Sequence, residues 1–193
     1  MANPLYDALF GRHQGQRTPF IELSDNTVTT HAEFLELAAQ YAHLFTKLGL
    51  QPGDRVAVQI EKSLQSIAVY AACTQAGLVF LPLNTAYTAE EVSYFVHDSD
   101  AGIVICDSKH MEALEPIAIE TGAILETMDP VGQGSFSQQA TGMPTKFQTV
   151  VRSKDDLAAF LYTSGTTGRS KGAMLTQENL LSNGQVLTTE WEF

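Results

Sequence analysis

The residue types with the greatest capacity for chemistry lie in one run, Leu161 to Gly172, LYTSGTTGRSKG. Thr163, Ser164, Thr166, Thr167 and Ser170 bring five hydroxyls, and Arg169 and Lys171 bring two cations. Gly165, Gly168 and Gly172 let a ligand come close to the main chain. Successive backbone N–H groups in such a loop form a nest for an anion. Hydroxyl donors and cations around that nest suit a polyphosphate. The spacing is not that of the Walker loop, G-x-x-x-x-G-K-[ST], because Gly165 is followed by Gly168, and Lys171 by Gly172. Leu157 to Tyr162 reads as a buried strand leading in, and Gly172 to Leu175 as a short strand leading out. The expectation is a strand–loop–strand phosphate holder. The same composition suits a flexible linker, but a buried strand on one side and cations inside the run favour the holder.

No other group has catalytic spacing. His13, His31, His43, His97 and His110 are scattered and read as surface or helix-face residues. Glu90 with Glu91, and Asp98 with Asp100, read as solvated charges at helix ends. Asn84 and Tyr87 read as packing residues beneath the loop, and nothing makes them ligands. Cys73 and Cys106 lie in apolar surroundings and read as core thiols. No CxxC or HExxH occurs, so a structural metal is not expected. No G-x-G-x-x-G follows a strand, which argues against a dinucleotide-dependent oxidoreductase.

The elements that must carry the loop alternate between strand and helix. A short helix over Leu5 to Phe10 is expected to turn Leu5, Leu9 and Phe10 inward. Two strands follow, Pro19 to Leu23 and Thr27 to Thr29, turning at Asp25-Asn26. Thr30 with Glu33 has the spacing of a capping box, opening a helix to about Leu48. Then come a strand Arg55 to Ile60, a helix from Ser63 to Gly77, and a strand Val79 to Leu81. Thr88 with Glu91 is a second box, opening a helix to about Asp98. A strand Ile103 to Cys106, a helix His110 to Glu120 and a strand Ala123 to Glu126 follow. Gly132 to Lys146 reads as a loop or a poorly packed short helix. Thr176 caps a last helix with Leu180, Leu181 and Leu187 along it. The alternation implies an α/β fold with a mostly parallel sheet flanked by helices.

Composition narrows the classes further. The 193 residues are enough for a real core, and 44% apolar against 17% charged residues argue for a folded chain. The net charge of -11 comes from 22 acidic against 11 basic residues with no basic cluster, so nucleic acid is not an expected partner. No secretory signal is evident in MANPLYDALFG, no apolar run is long enough to span a membrane, and a reducing cytoplasmic location is the default.

YTSGTTGRSKG resembles the phosphate-binding signature of the adenylate-forming, AMP-binding enzymes: acyl-CoA synthetases, luciferases and peptide-synthetase adenylation domains. Many members carry Pro where this chain has Ser170, which loosens the loop slightly. THAEFLELAAQYAHLFTKLGLQPGDRVAVQI resembles the early helix-and-strand block of acyl-CoA synthetases, and TQAGLVFLPLNTAYTAEEVSYFVHDSDAGIVICD their second core motif. The wording EKS, PLNTAYT and TSGTTGRSKGAML is most similar to bacterial malonyl-CoA synthetases.

The resemblance implies an acid–thiol ligase that takes a small carboxylic acid, ATP with Mg²⁺, and CoA. It carries the ATP phosphate contacts onto Thr163, Ser164, Gly165, Thr166, Thr167, Gly168, Arg169, Ser170 and Lys171; Arg169 also reads as a solvated neighbour, as long side chains on loop tips often are. The family's acidic nucleotide motif, hinge and late adenylation lysine are not found here. The expectation is therefore that residues 1–193 are the N-terminal part of an AMP-binding domain, with no catalytic residue of their own, inactive alone and prone to self-association through exposed apolar surface. The alternative is a non-catalytic nucleotide-binding or scaffold fragment.

Overall fold

The computed structural model describes residues 2–23, 25–163 and 170–191, and most of its α-helices begin where a short polar side chain satisfies one of the first N–H groups. α1 spans Pro4–Leu9 and is capped by Asn3. β1 (Pro19–Glu22) and β2 (Val28–Thr30) pair antiparallel around Asn26, whose φ is 65°. α2 (His31–Lys47) opens on the expected box: the Thr30 hydroxyl accepts from the Glu33 N–H, and the Glu33 carboxylate accepts from the Thr30 N–H at 2.9 Å. β3 (Arg55–Gln59) leads to α3 (Leu64–Ala76), capped by Ser63 and Ser66, and then to β4 (Val79–Pro82). α4 (Ala89–Ser99) opens on the box of Thr88 and Glu91. β5 (Ala101–Cys106), α5 (Met111–Thr121), β6 (Ile124–Thr127) and α6 (Ser135–Ala140) follow. β7 (Leu157–Thr163), β8 (Lys171–Thr176) and α7 (Gln177–Glu190) complete the order, α7 capped by Thr176 and Asn179.

Six strands form one sheet in the order β6-β5-β3-β4-β7-β8. The first five run parallel, and β8 pairs antiparallel with β7. Such a sheet is buried on both faces, so alternate residues of one strand feed two cores. Val56 and Val58 with Ile103 and Ile105 pack under α2, α3 and α6. Ala57, Val104 and Cys106 pack under α4 and α5. The chain therefore leaves β3 for one face and β4 for the other. That divergence opens a crevice at the strands' carboxyl ends, where open α/β sheets bind ligands.

Two expectations need correction. Leu9 is 38% exposed, because six residues of helix turn only one apolar stripe inward, through Leu5 and Tyr6. Gly132 to Lys146 is not poorly packed: Phe136 of α6 is fully buried, 5.1 Å from Tyr41 and 5.2 Å from Phe45. The histidines lie at the surface or on helix faces, as expected, and His13 and His31 stack there at 4.6 Å.

Candidate phosphate-binding site

The run singled out for chemistry joins β7 to β8. Phe80 of β4 pairs with Ala159 of β7 in parallel register, so β7 runs on toward the edge where the crevice opens. Thr163 is its last residue and pairs with Lys171, the first residue of β8. Both are exposed, and Ser170 precedes Lys171 directly. The structure thus brings Thr163, Ser170 and Lys171 together at the mouth of an antiparallel hairpin. Ser164, Gly165, Thr166, Thr167, Gly168 and Arg169 lie outside the described residues.

The stem of this hairpin rests on aromatic rings. Phe160 and Tyr162 alternate onto the face that meets α4, with ring centroids 5.5 Å apart. Phe95 of α4 lies 4.3 Å from Tyr162, and Tyr87 lies 5.0 Å from Phe95. Across the ladder, Gly172 leaves room for Phe160: a Cβ there would lie 2.0 Å from the ring's Cε1. Two side chains of α4 reach the strands. Tyr94 Oη donates to the Ser170 carbonyl at 3.0 Å, and Tyr162 Oη donates to Asp98 Oδ2 at 2.6 Å. Burial, and then the hydrogen bond and negative charge of Asp98, push the Tyr162 phenol above its ordinary range.

Asp98 and Asp100 are exposed charges at the end of α4, as expected, and each also has a partner. Asp98 accepts from Tyr162, and Asp100, in left-handed conformation at φ 52°, pairs with Arg55 at 2.6 Å. Sequence reading missed Tyr94, Asp98 and Tyr162 as partners of the loop. One signal was present: Tyr94 and Asp98 are four residues apart and share a face of a helix.

Beside the hairpin, the crevice encloses about 780 Å³, lined by Ile60, Lys62, Tyr70, Phe80, Pro82 and Asn84 among others. Buried Gln59 shapes its rim by donating from Nε2 to the carbonyls of Asn84 (3.1 Å) and Tyr87 (3.0 Å). Asn84 closes its own turn by accepting from the Ala86 N–H at 2.9 Å. Tyr87 thus packs, on Phe95, whereas Asn84 is exposed and turns the chain at the crevice. Cys73 and Cys106 are buried free thiols, and burial pushes Cys106 up to about 12. Among the described residues no three His, Cys, Asp or Glu side chains group so as to hold a metal, and no helix is long and apolar enough to cross a membrane.

The hairpin of β7 and β8 thus stands at one side of a mostly parallel sheet flanked by helices. The chain belongs to the AMP-binding enzyme family, whose pattern matches residues 10–193. MatB from Rhodopseudomonas palustris superimposes with a TM-score of 0.94 at 43% identity, over 100% of this chain and 38% of that one, and the same enzyme bound to ATP matches at 44% identity. A feruloyl-CoA synthase of Amycolatopsis is 34% identical over 158 residues, 81% of this chain and 30% of that protein. An oxalate–CoA ligase of Arabidopsis thaliana is 34% identical over 162 residues, 80% of this chain and 31% of that protein. The chain thus spans about a third of the length of these relatives.

Proposed function

We propose that residues 1–193 are the N-terminal part of the AMP-binding domain of an ATP-dependent acid–thiol ligase, with malonate as the acid and CoA as the thiol. The observation that carries this reading is the hairpin, with Thr163, Ser170 and Lys171 at its mouth beside the carboxyl-edge crevice.

A carboxylate is a poor electrophile. In the proposed reaction its oxygen attacks the α-phosphorus of MgATP, the bond to the bridging oxygen breaks, and pyrophosphate leaves with added negative charge. The residues Thr163, Ser164, Gly165, Thr166, Thr167, Gly168, Arg169, Ser170 and Lys171 supply hydroxyls, main-chain N–H groups and two cations to hold that charge. Mg²⁺ would arrive with the nucleotide and would add positive charge against the leaving pyrophosphate. The CoA sulfur then attacks the acyl carbon and AMP leaves. No residue of this chain is assigned as nucleophile or proton carrier. Its contribution is position and electrostatics.

Malonate is supported by the similarity of EKS, PLNTAYT and TSGTTGRSKGAML to bacterial malonyl-CoA synthetases and by the 43% identity to MatB. Buried free thiols suit a reducing, cytoplasmic setting. Exposed Met174 on β8 and Val186 on α7 fit a surface that the rest of the ligase covers, and that favours self-association of the 193 residues alone. The test is malonate-dependent ATP–pyrophosphate exchange in the full-length gene product. The 193-residue chain alone should show none.

A further inference from the structure

We propose that Tyr94 is a positioning residue for the phosphate-binding hairpin: its phenol holds the Ser170 carbonyl and so sets the peptide that leads into Lys171. The inference rests on the reading of the hairpin as the phosphate holder.

α4 grips both strands of the hairpin from one helix face. On the incoming strand, Tyr162 Oη donates to Asp98 Oδ2 at 2.6 Å. On the outgoing side, Tyr94 Oη donates to the Ser170 carbonyl at 3.0 Å. Tyr94 and Asp98 are one helical turn apart, and Phe95 between them packs on Tyr162 at 4.3 Å. The two strands are therefore braced at points that flank the loop, and the helix sets their relative position.

The bond to Ser170 has a particular consequence. The peptide is planar and trans, so the Lys171 N–H points opposite to the Ser170 carbonyl. A carbonyl oxygen turned toward a polyphosphate repels it, whereas N–H groups attract it. Tying that carbonyl to Tyr94 keeps its negative end occupied on the α4 side and fixes the N–H in the other direction. It also fixes where the Lys171 backbone starts its side chain. Tyr94 is half-buried, so the bond competes with little water. Tyr94 touches no reacting atom in this account and acts through Ser170 and Lys171.

The experiment compares Tyr94→Phe with wild type in the full-length gene product. The ring stays and the hydroxyl goes. KM for MgATP in ATP–pyrophosphate exchange should rise about 3- to 10-fold, while KM for the acid stays within about 2-fold. The thermal midpoint should move by no more than about 2 °C, since a half-buried hydroxyl is lost without a cavity. An unchanged KM for MgATP would overturn the proposal. So would an equal loss toward both substrates with a lowered midpoint, which would make Tyr94 a packing residue. A wild-type product that does not use ATP would overturn the reading of the hairpin itself, and this inference with it.

Discussion

The ring of Phe160 fills the space that any side chain at Gly172 would need: a Cβ built at 172 lies 2.0 Å from Cε1 of the ring and 2.9 Å from Cδ1 and Cζ. Phe160 is fixed in turn by Tyr162 beside it, and Gly172 by the ladder to β7. Gly172→Ala must therefore displace a packed ring or open the hairpin. It should cost about 1–3 kcal/mol in urea unfolding. Gly184 in α7 is the control, with nothing within 4 Å of its added Cβ. Gly184→Ala should stabilise by about 0.5–1 kcal/mol.

Gln59 ties the end of β3 to the segment after β4 through the carbonyls of Asn84 and Tyr87. Gln59→Leu keeps the volume and leaves both carbonyls without that donor. Stability should fall by about 1–3 kcal/mol, read from the urea midpoint at unchanged slope. A neutral result would mean that water replaces the amide at the rim of the crevice.

What was legible in the sequence depended on how far each signal reaches along the chain. The boxes at Thr30 and Thr88 close within three residues, so the letters alone place two helix starts. The strand–loop–strand reading of 157–175 needed only an apolar run, a polar run and a second strand; β7 runs one residue further at its inner end, and β8 one residue further at both ends. The brace of the loop was not legible. Tyr94 meets Ser170 across 76 positions and Tyr162 meets Asp98 across 64, and neither pair follows from any local period. Phe136 was missed for the same reason: SFSQQA carries one large apolar residue, and its burial depends on Tyr41 and Phe45 of α2.

High pH should unfold the domain through its buried tyrosines and thiols. Burial pushes Tyr6 and Tyr41 up to about 12 and raises Tyr70 and Tyr162 as well, from an ordinary 10.0. Cys106 moves from 9.0 to about 12, and Cys73 moves the same way. In each case the folded state favours the protonated form. Their contribution is complete below the ordinary values and is lost as pH rises from about 9 toward 12. Phenolate absorbance should therefore rise in step with loss of the helix signal, rather than ahead of it.

At low pH the sign reverses. The N–H of Thr30, and then its hydroxyl, hold the Glu33 carboxyl below its ordinary 4.5. The ionised form is favoured in the fold, so its contribution is present above 4.5 and fades as pH falls through the lowered value. Glu33→Gln should be less stable than wild type at neutral pH and converge with it in strong acid. Urea midpoints measured across that range would show a constant gap if the carboxylate were not involved.

The central claim is tested most directly by malonate-dependent ATP–pyrophosphate exchange in the full-length gene product, with Thr166→Val and Lys171→Met beside wild type. Wild type should exchange. Both variants should stay folded and lose on the order of 10-fold or more in kcat/KM for MgATP, the scale of one preorganised donor to a charge that develops in the reaction. No exchange by wild type with any small carboxylic acid, or undiminished exchange in both variants, would contradict the account.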